Sequence, residues 1–121
     1  MSVKIRLRRY GRKKRPFYRI VVINSKTKRD GKYIDTIGTY DTNINPSSIR
    51  MKLYLAIKWL NRGAVASDTV YSILSKSGVL YKRFLERGVN KNIISKSQAD
   101  DIFNAWIKNK KGVSLIHEID K

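Results

Sequence analysis

The sequence predicts an α+β domain in which the strands precede the helices. Residues 3–8 alternate apolar and basic side chains, and residues 17–23 are almost continuously apolar; both patterns are typical of β-strands. After residue 53 the apolar residues recur with the helical period instead. With 121 residues, of which 41% are hydrophobic, the chain is long enough for a single domain with an ordinary core.

The first half of the chain predicts three strands and a short fourth. Val3, Ile5 and Leu7 lie on one face of the first strand, and the basic residues between them lie on the other. Residues 10–16 are predicted to form a loop, and the run 17–23 suits a central strand because it is apolar on both faces apart from Arg19. The other predictions are a polar turn over 24–32, a third strand over 33–40 with a bulge or close backbone approach at Gly38, and a short strand over 49–52.

Two helices follow, each with a recognisable end. The first is predicted to end at Gly63, and the second is predicted to begin at an N-cap, Ser67, and to end at Gly78. Residues 79–87 fit either a strand or a helical turn. The residues predicted to face the core from these two helices are Leu53, Ala56, Ile57, Leu60, Val70, Ile73 and Leu74.

A final amphipathic helix is predicted beyond a linker. Ser95 and Gln98 have capping-box spacing, and residues 90–92 have the composition of a linker. We therefore predict a core domain over 1–87 and a linker with a helical extension over 88–121. The apolar stripe of the extension must be buried on the domain, on RNA or on a neighbouring protein; it consists of Ala99, Ile102, Phe103, Trp106 and Ile107.

The distribution of positive charge is the main indication of function. The chain has 27 Lys and Arg against 9 Asp and Glu, a net charge of +18 and a pI near 10.4. Residues 1–32 hold 13 of these bases against one acid, Asp30, which gives +12 of the total. Because the bases alternate with strand-forming residues, they are predicted to form a rigid cationic surface for a polyanion, most commonly a nucleic acid.

The candidate RNA-binding residues follow from this segment. Tyr10 could stack on an unpaired base, and of Phe17 and Tyr18 one is expected in the core. If 6–10 cations meet phosphates, affinity should fall by about 10³–10⁵ from 50 to 200 mM salt. The candidates are Arg6, Arg8, Arg9, Tyr10, Arg12, Lys13, Lys14, Arg15 and Arg19, and in a second basic loop Lys26, Lys28, Arg29 and Lys32.

The residues that could support catalysis are sparse. The chain has no cysteine, and its single histidine, His117, is expected to be an exposed residue of the C-terminal tail. Asp35 and Asp41 could form a divalent-ion pair, although no third carboxylate is near them in sequence. The aliphatic run 20–23 is too short to span a bilayer. We expect no enzyme activity, no cofactor, no metal, no small-molecule substrate and no membrane partner.

The same basic segment closely resembles the opening of a known protein family, the sixteenth small-subunit ribosomal protein of bacteria and organelles. The likeness begins at residues 3–22 and covers about residues 2–82. One departure lies before Asp68, where the family usually has Gly-Ala-Gln-Pro-Thr and this chain has residues 63–67, Gly-Ala-Val-Ala-Ser. The other blocks that carry the resemblance are residues 28–34, 37–40, 59–60, 63–64, 68–70 and 76–78.

The resemblance implies a mixed sheet of four or five strands with two helices packed on it. It also implies a structural constituent of the small ribosomal subunit, which binds small-subunit rRNA, contacts neighbouring ribosomal proteins and supports subunit assembly and translation. The expected location is a bacterial ribosome in the cytoplasm, with an organellar ribosome as the alternative. The competing hypotheses are a general DNA-packing protein, a nuclease that uses Asp35 and Asp41, and a membrane-surface protein that uses the helix over 97–110.

Overall fold

The structure is a computed structural model, and it describes residues 2–28, 31–44, 46–110 and 114–117. These residues form six strands and four helices. The elements are, in chain order, β1 (Val3–Arg12), β2 (Arg15–Asn24), β3 (Asp35–Asp41), β4 (Ser48–Met51), α1 (Leu53–Asn61), β5 (Val65–Ala66), α2 (Asp68–Ser77), α3 (Val79–Asn90), α4 (Lys96–Lys108) and β6 (Ser114–His117).

The six strands form one mixed sheet in the order β5-β1-β2-β3-β4-β6. β1, β2, β3 and β4 pair in this order and antiparallel, and β5 and β6 add to the two edges in parallel orientation. The α+β class is therefore confirmed, but the sheet has more strands than the four or five expected. The extra pairings join segments distant in sequence, which hydrophobic periodicity does not predict.

The first two strands form a hairpin longer than the sequence predicts. The loop expected over residues 10–16 is wrong, because only Lys13 and Lys14 form the turn and Arg12 pairs with Arg15. Gly11 allows this arrangement with a φ of +85°, where a side chain would collide with the Arg15 carbonyl. The candidate residues on both sides of the turn are thus fixed in strands.

Gly38 lies next to a bulge and at a close backbone approach, the two alternatives that the sequence offers for it. The register of β2 against β3 passes from Ile20–Gly38 to Val21–Thr36, so the intervening residue of β3 is bulged out. A Cβ on Gly38 would collide with the carbonyl oxygen of Arg50 on β4, so the close approach of the two strands requires glycine.

The helix boundaries agree with the predicted capping residues. The Ser67 hydroxyl accepts a hydrogen bond from the Val70 amide at the start of α2, and Gly78 ends that helix with a φ of +91°. Ser95 and Gln98 form the predicted capping box at α4. Residues 79–90 are a full helix, α3, which settles the ambiguity left by the sequence.

The core lies between the helices and one face of the sheet. It combines Ile5 of β1 and Ile20 and Val22 of β2 with apolar residues of all four helices. The residues predicted to face it from α1 and α2 are buried, apart from the half-buried Leu60. Phe17 and Tyr18 are both half-buried and neither belongs to the core, so the expectation that one of them does is wrong. Phe17 lies on the sheet face away from the helices, and Tyr18 lies near the hairpin end of β2.

The C-terminal segment packs on the rest of the chain. Ala99 and Phe103 of α4 are buried in the common core, and β6 pairs with β4. His117 is not an exposed tail residue: its Nε2 atom lies 2.8 Å from the Ser77 carbonyl and its ring stacks on Phe103. The apolar stripe is therefore buried mainly on the domain itself, which was one of the three places left open by the sequence.

Candidate nucleic-acid interface

The sheet register divides the first hairpin into two chemically different faces. Residues directly opposite each other in an antiparallel pair point to the same side of the sheet. Ile5 and Leu7 pair with Val22 and Ile20 on the side of the helices. Arg8 and Arg19 pair on the opposite side, away from the four described helices. Alternation along β1 therefore separates the core residues from the basic ones.

We call the helix-free side the outer basic face. Two of its members, Lys4 and Arg50, are not among the residues predicted from sequence. Lys4 alternates with the apolar residues of β1 in the same way as Arg6 and Arg8, so the sequence pattern alone was enough to place it on this face. Arg50 can be placed on this face only from the strand pairing, in which it lies opposite Thr39 of β3. The cations of this face are Lys4, Arg6, Arg8, Arg12, Arg15, Arg19 and Arg50.

A cluster of two arginines and two tyrosines lies at the centre of the outer basic face. The guanidinium of Arg19 lies 4.4 Å from the centre of the Tyr10 ring, and that of Arg8 lies 5.9 Å from Tyr10 and 5.3 Å from Tyr33. Arg8 also donates a hydrogen bond of 2.9 Å to the Gly31 carbonyl. Cation–π contacts and this hydrogen bond restrict the arginine rotamers, so their charges are held in place before any ligand arrives.

Tyr33 forms hydrogen bonds within this cluster. Hydrogen bonds with Thr36, Tyr10 and Arg19, in that order of importance, lower the pKa of Tyr33 below its usual value of 10.0, and the charge of Arg19 adds to the effect. Tyr10, which was expected in a loop, instead lies in β1 with its ring against Arg19. One face of that ring is therefore occupied by a cation.

The segment between β2 and β3 folds over the outer basic face. Its Gly31 carbonyl meets Arg8, and the Ile34 amide donates to the Val22 carbonyl. On the same side of the sheet Val21 and Ile23 point away from the helices and yet are only 1% exposed. The third strand was expected to begin at residue 33, but it begins at Asp35 because this crossing segment occupies the preceding residues.

The second basic loop is joined to the same surface at one end. Lys32 is exposed and lines a shallow cleft with Arg8, Gly31 and Tyr33. Lys26 and Lys28 are exposed in the turn after β2, and Arg29 lies outside the described residues. The structure therefore brings Lys32 to the arginine–tyrosine cluster and leaves Lys26 and Lys28 in the turn after β2.

Arg9 differs from the other arginines of the hairpin. By its position in the register its side chain lies on the same side of the sheet as Ile5 and Leu7, but it lies near the hairpin end and is exposed. Its guanidinium donates to the carbonyl of Lys13 at 2.8 Å and reaches that of Arg12 at 3.5 Å. Arg9 thus supports the backbone of the turn that presents the exposed Lys13 and Lys14.

Arg6 has a polar atom without an internal partner. Its Nε is buried and has no hydrogen-bond acceptor among the residues that the structure describes. A buried donor without an acceptor is costly, of the order of 1–3 kcal/mol. Arg6 therefore belongs to a surface whose hydrogen-bonding capacity is not used up within the chain.

The carboxylates proposed for a divalent-ion pair are not brought together. Asp35 accepts hydrogen bonds from the Thr36 amide and from Trp59 on the helix side, whereas Asp41 lies at the other end of β3 and accepts from the Asn43 amide. Six residues of strand separate them by roughly 20 Å. Within the described residues, no three His, Cys, Asp or Glu side chains cluster as metal ligands would.

None of the described helices is both long enough and apolar enough to cross a bilayer.

Comparison with known proteins identifies the family. The model of a family described as ribosomal protein S16 matches residues 9–67. The small ribosomal subunit protein bS16 of Flavobacterium johnsoniae is 47% identical over 112 residues, which cover 93% of this chain and 60% of that relative. The proteins of the same name from Azobacteroides pseudotrichonymphae and Porphyromonas gingivalis are 44% and 45% identical, over 100% and 92% of this chain and over 73% and 58% of their own lengths.

The chain thus spans about 60% of the length of the Flavobacterium relative. The matched region includes β1 from Arg9 onward, the hairpin turn, β2, β3 and the segment that crosses the outer basic face. The resemblance inferred from the sequence is confirmed, and the chain belongs to the ribosomal protein S16 family.

Proposed function

We propose that this chain is a non-enzymatic structural constituent of the small ribosomal subunit that binds small-subunit rRNA through the outer basic face. The observation that carries the proposal is the strand register, which gathers seven cations on the side of the sheet without helices. The relatives are all named as small ribosomal subunit proteins and come from bacteria. Their names support the assignment to the small ribosomal subunit, and their organisms favour the bacterial cytoplasm over an organelle as its location. Neighbouring ribosomal proteins are proposed as further partners.

The proposed mechanism is neutralisation of phosphates together with recognition of RNA shape. Each arginine can bind a phosphate through two parallel hydrogen bonds, and the bound cation displaces condensed counterions. Because Arg8 and Arg19 are already held by tyrosines, little side-chain entropy is lost when they bind. A rigid surface of this kind suits RNA helices that converge in a folded particle, where shape matters more than base sequence.

We assign different roles to the basic residues of the outer basic face, of the hairpin turn and of the second basic loop. Arg6, Arg8, Arg12, Arg15 and Arg19 are assigned to phosphate contacts on the outer basic face, and Arg9 is assigned to positioning Lys13 and Lys14 in the turn. Lys32, Lys26, Lys28 and Arg29 are assigned to a second contact region. We propose that residues 1–87 contain the RNA-binding part and that residues 88–121 are an extension that packs on it.

The test compares two double variants of equal charge change. Arg12→Gln with Arg15→Gln removes two cations from the outer basic face, and Lys76→Gln with Lys96→Gln removes two exposed cations from the helices. With a fragment of small-subunit rRNA, the first variant should lower the slope of log affinity against log salt by about one for each lost contact. The control should retain nearly the full slope. Equal slopes for both variants would contradict the assigned face.

The competing hypotheses are tested by choice of ligand. A DNA-packing protein would bind bulk duplex DNA as tightly as the rRNA fragment at the same salt concentration, whereas we expect a clear preference for the RNA. The membrane-surface hypothesis requires a free apolar stripe on α4. That stripe has Ala99 and Phe103 buried against the domain, which argues against it.

A further inference from the structure

A second surface of the chain is apolar and lies between α3 and the beginning of α4. It is a groove of about 440 Å³ whose lining is mostly aliphatic and aromatic. Three of the lining side chains are unusually exposed: Phe84 at 66%, Ile93 at 73% and Ile102 at 40%. Contiguous exposed apolar residues of this kind mark interaction sites more often than isolated ones do.

The exposure of Ile93 follows from the way α3 ends. The Ile93 amide donates to the Gly88 carbonyl, the Asn92 amide donates to the Val89 carbonyl, and Asn92 has a φ of +58°. These features are those of a Schellman motif, in which the residue at the position of Ile93 normally packs on the side chain at the position of Gly88. Glycine has no side chain to offer, so a well-ordered turn holds Ile93 outward.

The charges at the edge of the groove indicate the chemistry of its partner. Arg87 and Lys91 line it, and none of the acidic residues that the structure describes does. The nearby acids, Glu86 and Asp100, line a different cleft together with Lys82. An apolar floor with a cationic edge complements a segment that carries both apolar and acidic side chains.

RNA fits this groove less well than a protein segment does. Protein–nucleic acid interfaces are more polar and more densely positive than protein–protein interfaces. Here two cations flank seven lining residues that carry no charge. The two rings of the groove, Tyr81 and Phe84, lie almost parallel to each other with centroids 6.4 Å apart, and the aliphatic side chains of Ile93, Ile94 and Ile102 offer no flat ring for a base to stack on.

We propose that this groove binds an amphipathic, acidic segment of a neighbouring protein in the small ribosomal subunit. The identity of the particle rests on the proposed function above, but the groove does not include any residue of the outer basic face. The partner places apolar side chains against Ile93, Phe84 and Ile102, and its carboxylates meet Arg87 and Lys91.

The absence of cysteine makes a site-directed cross-linking test clean. Ile93→Cys is labelled with a benzophenone maleimide, and Tyr71→Cys on α2, where the native side chain is 58% exposed, serves as the control. The labelled chains are incorporated into small subunits, which are purified by sedimentation and irradiated. We expect the label at position 93 to join a small-subunit protein in a peptide that combines apolar residues with Asp or Glu.

The other outcomes overturn the proposal. Cross-linking at position 93 to rRNA, to a second copy of this chain, or to nothing in subunits that contain the labelled chain would each contradict a protein partner. Failure of the unsubstituted chain to sediment with small subunits is a different result, and it would refute the proposed function instead.

The charge complementarity is tested separately with the label moved to Phe84→Cys. Adding Ile93→Ser should lower the cross-linking yield about tenfold, the loss expected for a central apolar contact. Arg87→Glu with Lys91→Glu should lower it to a similar extent, whereas Lys58→Glu with Lys76→Glu, which reverses two exposed charges on other helices, should not. An unchanged yield in the Arg87 and Lys91 variant would refute the acidic character of the partner.

Discussion

Arg19 and Tyr10 form a diagonal pair across the first hairpin, with the guanidinium 4.4 Å from the centre of the tyrosine ring. Tyr10 lies opposite Phe17 in the register, and Arg19 lies opposite Arg8, so the two residues in contact are offset by two positions along the strands. The same ring lies 5.9 Å from Arg8. One aromatic side chain therefore orders two cations of the outer basic face.

This relationship predicts a difference between two substitutions of Tyr10. Tyr10→Leu removes the ring from both arginines and should lower the free energy of unfolding by about 1 kcal/mol, the sum expected for exposed cation–π contacts. Tyr10→Phe keeps the ring and should cost less than half as much. Both values come from denaturant unfolding, and an equal loss in the two variants would mean that the hydroxyl, not the ring, holds the arginines.

Tyr33 provides a pH-dependent prediction. Its pKa is lowered from 10.0, first by the hydrogen bond with Thr36 and then by those with Tyr10 and Arg19. Because its pKa in the folded chain lies below that in the unfolded chain, ionised Tyr33 stabilises the fold at pH values above the unfolded pKa. This contribution is lost as the pH falls through the folded pKa.

The measurement is a spectrophotometric titration of phenolate. Tyr33→Phe should remove the component that ionises at the lowest pH, whereas Tyr71→Phe, at an exposed position, should leave that component in place. Thr36→Val should move the Tyr33 component back toward 10.0. If the earliest component persists in Tyr33→Phe, the hydrogen-bonded cluster is not its source.

Two glycines with almost the same φ angle provide a matched pair for packing. Gly78 has a φ of +91° and Gly63 a φ of +93°, so alanine is strained at both. A Cβ at Gly78 would lie 2.9 Å from Trp106 and 3.1 Å from Phe103, whereas a Cβ at Gly63 meets nothing within 4 Å. The difference between the two variants therefore measures how tightly α4 packs on the α2–α3 junction.

We expect Gly63→Ala to lower the free energy of unfolding by about 1 kcal/mol from backbone strain. Gly78→Ala should lower it by about 1–3 kcal/mol more, because aromatic side chains in a packed layer must move. Trp106 fluorescence should change only in Gly78→Ala. Equal losses in the two variants would show that α4 contributes little to the stability of the fold.

Local chemistry accounts for the parts of this fold that the sequence predicts. Ser67, Gly63 and Gly78 act within one turn of the chain, so the ends of α1 and α2 follow from their neighbours alone. The alternation of β1 likewise places Arg6 and Arg8 away from the core without knowledge of the partner strand.

The parts that the sequence does not predict depend on distant contacts. Residues 65–66 pair with β1, and residues 114–117 pair with β4, and neither short segment has a strand pattern of its own. The assignment of Tyr10 to a loop failed because Gly11, which normally interrupts a strand, here permits the turn geometry of a longer hairpin.

Arg9 and Arg12 yield the last prediction, because they are close in sequence and differ in what they contact. Arg12 is an exposed residue of the outer basic face, and Arg9 holds the Lys13 carbonyl at 2.8 Å from the other side of the hairpin. Arg12→Ala should lower the salt slope of rRNA binding by about one with little effect on stability, since it removes a proposed phosphate contact. Arg9→Ala should leave the slope closer to that of the unsubstituted chain and lower the free energy of unfolding by about 0.5–1 kcal/mol, since it removes a hydrogen bond to the turn.

The two readouts must be measured on the same preparations. Salt titrations of binding to the rRNA fragment give the slopes, and denaturant unfolding gives the stabilities. Arg9→Lys keeps the charge but has a shorter reach to the turn, so it should resemble Arg9→Ala in stability and the unsubstituted chain in slope. Should Arg9→Ala instead reduce the slope as much as Arg12→Ala does, both faces of the hairpin end must contact phosphate, and the RNA must then wrap around the turn instead of lying along one side of the sheet.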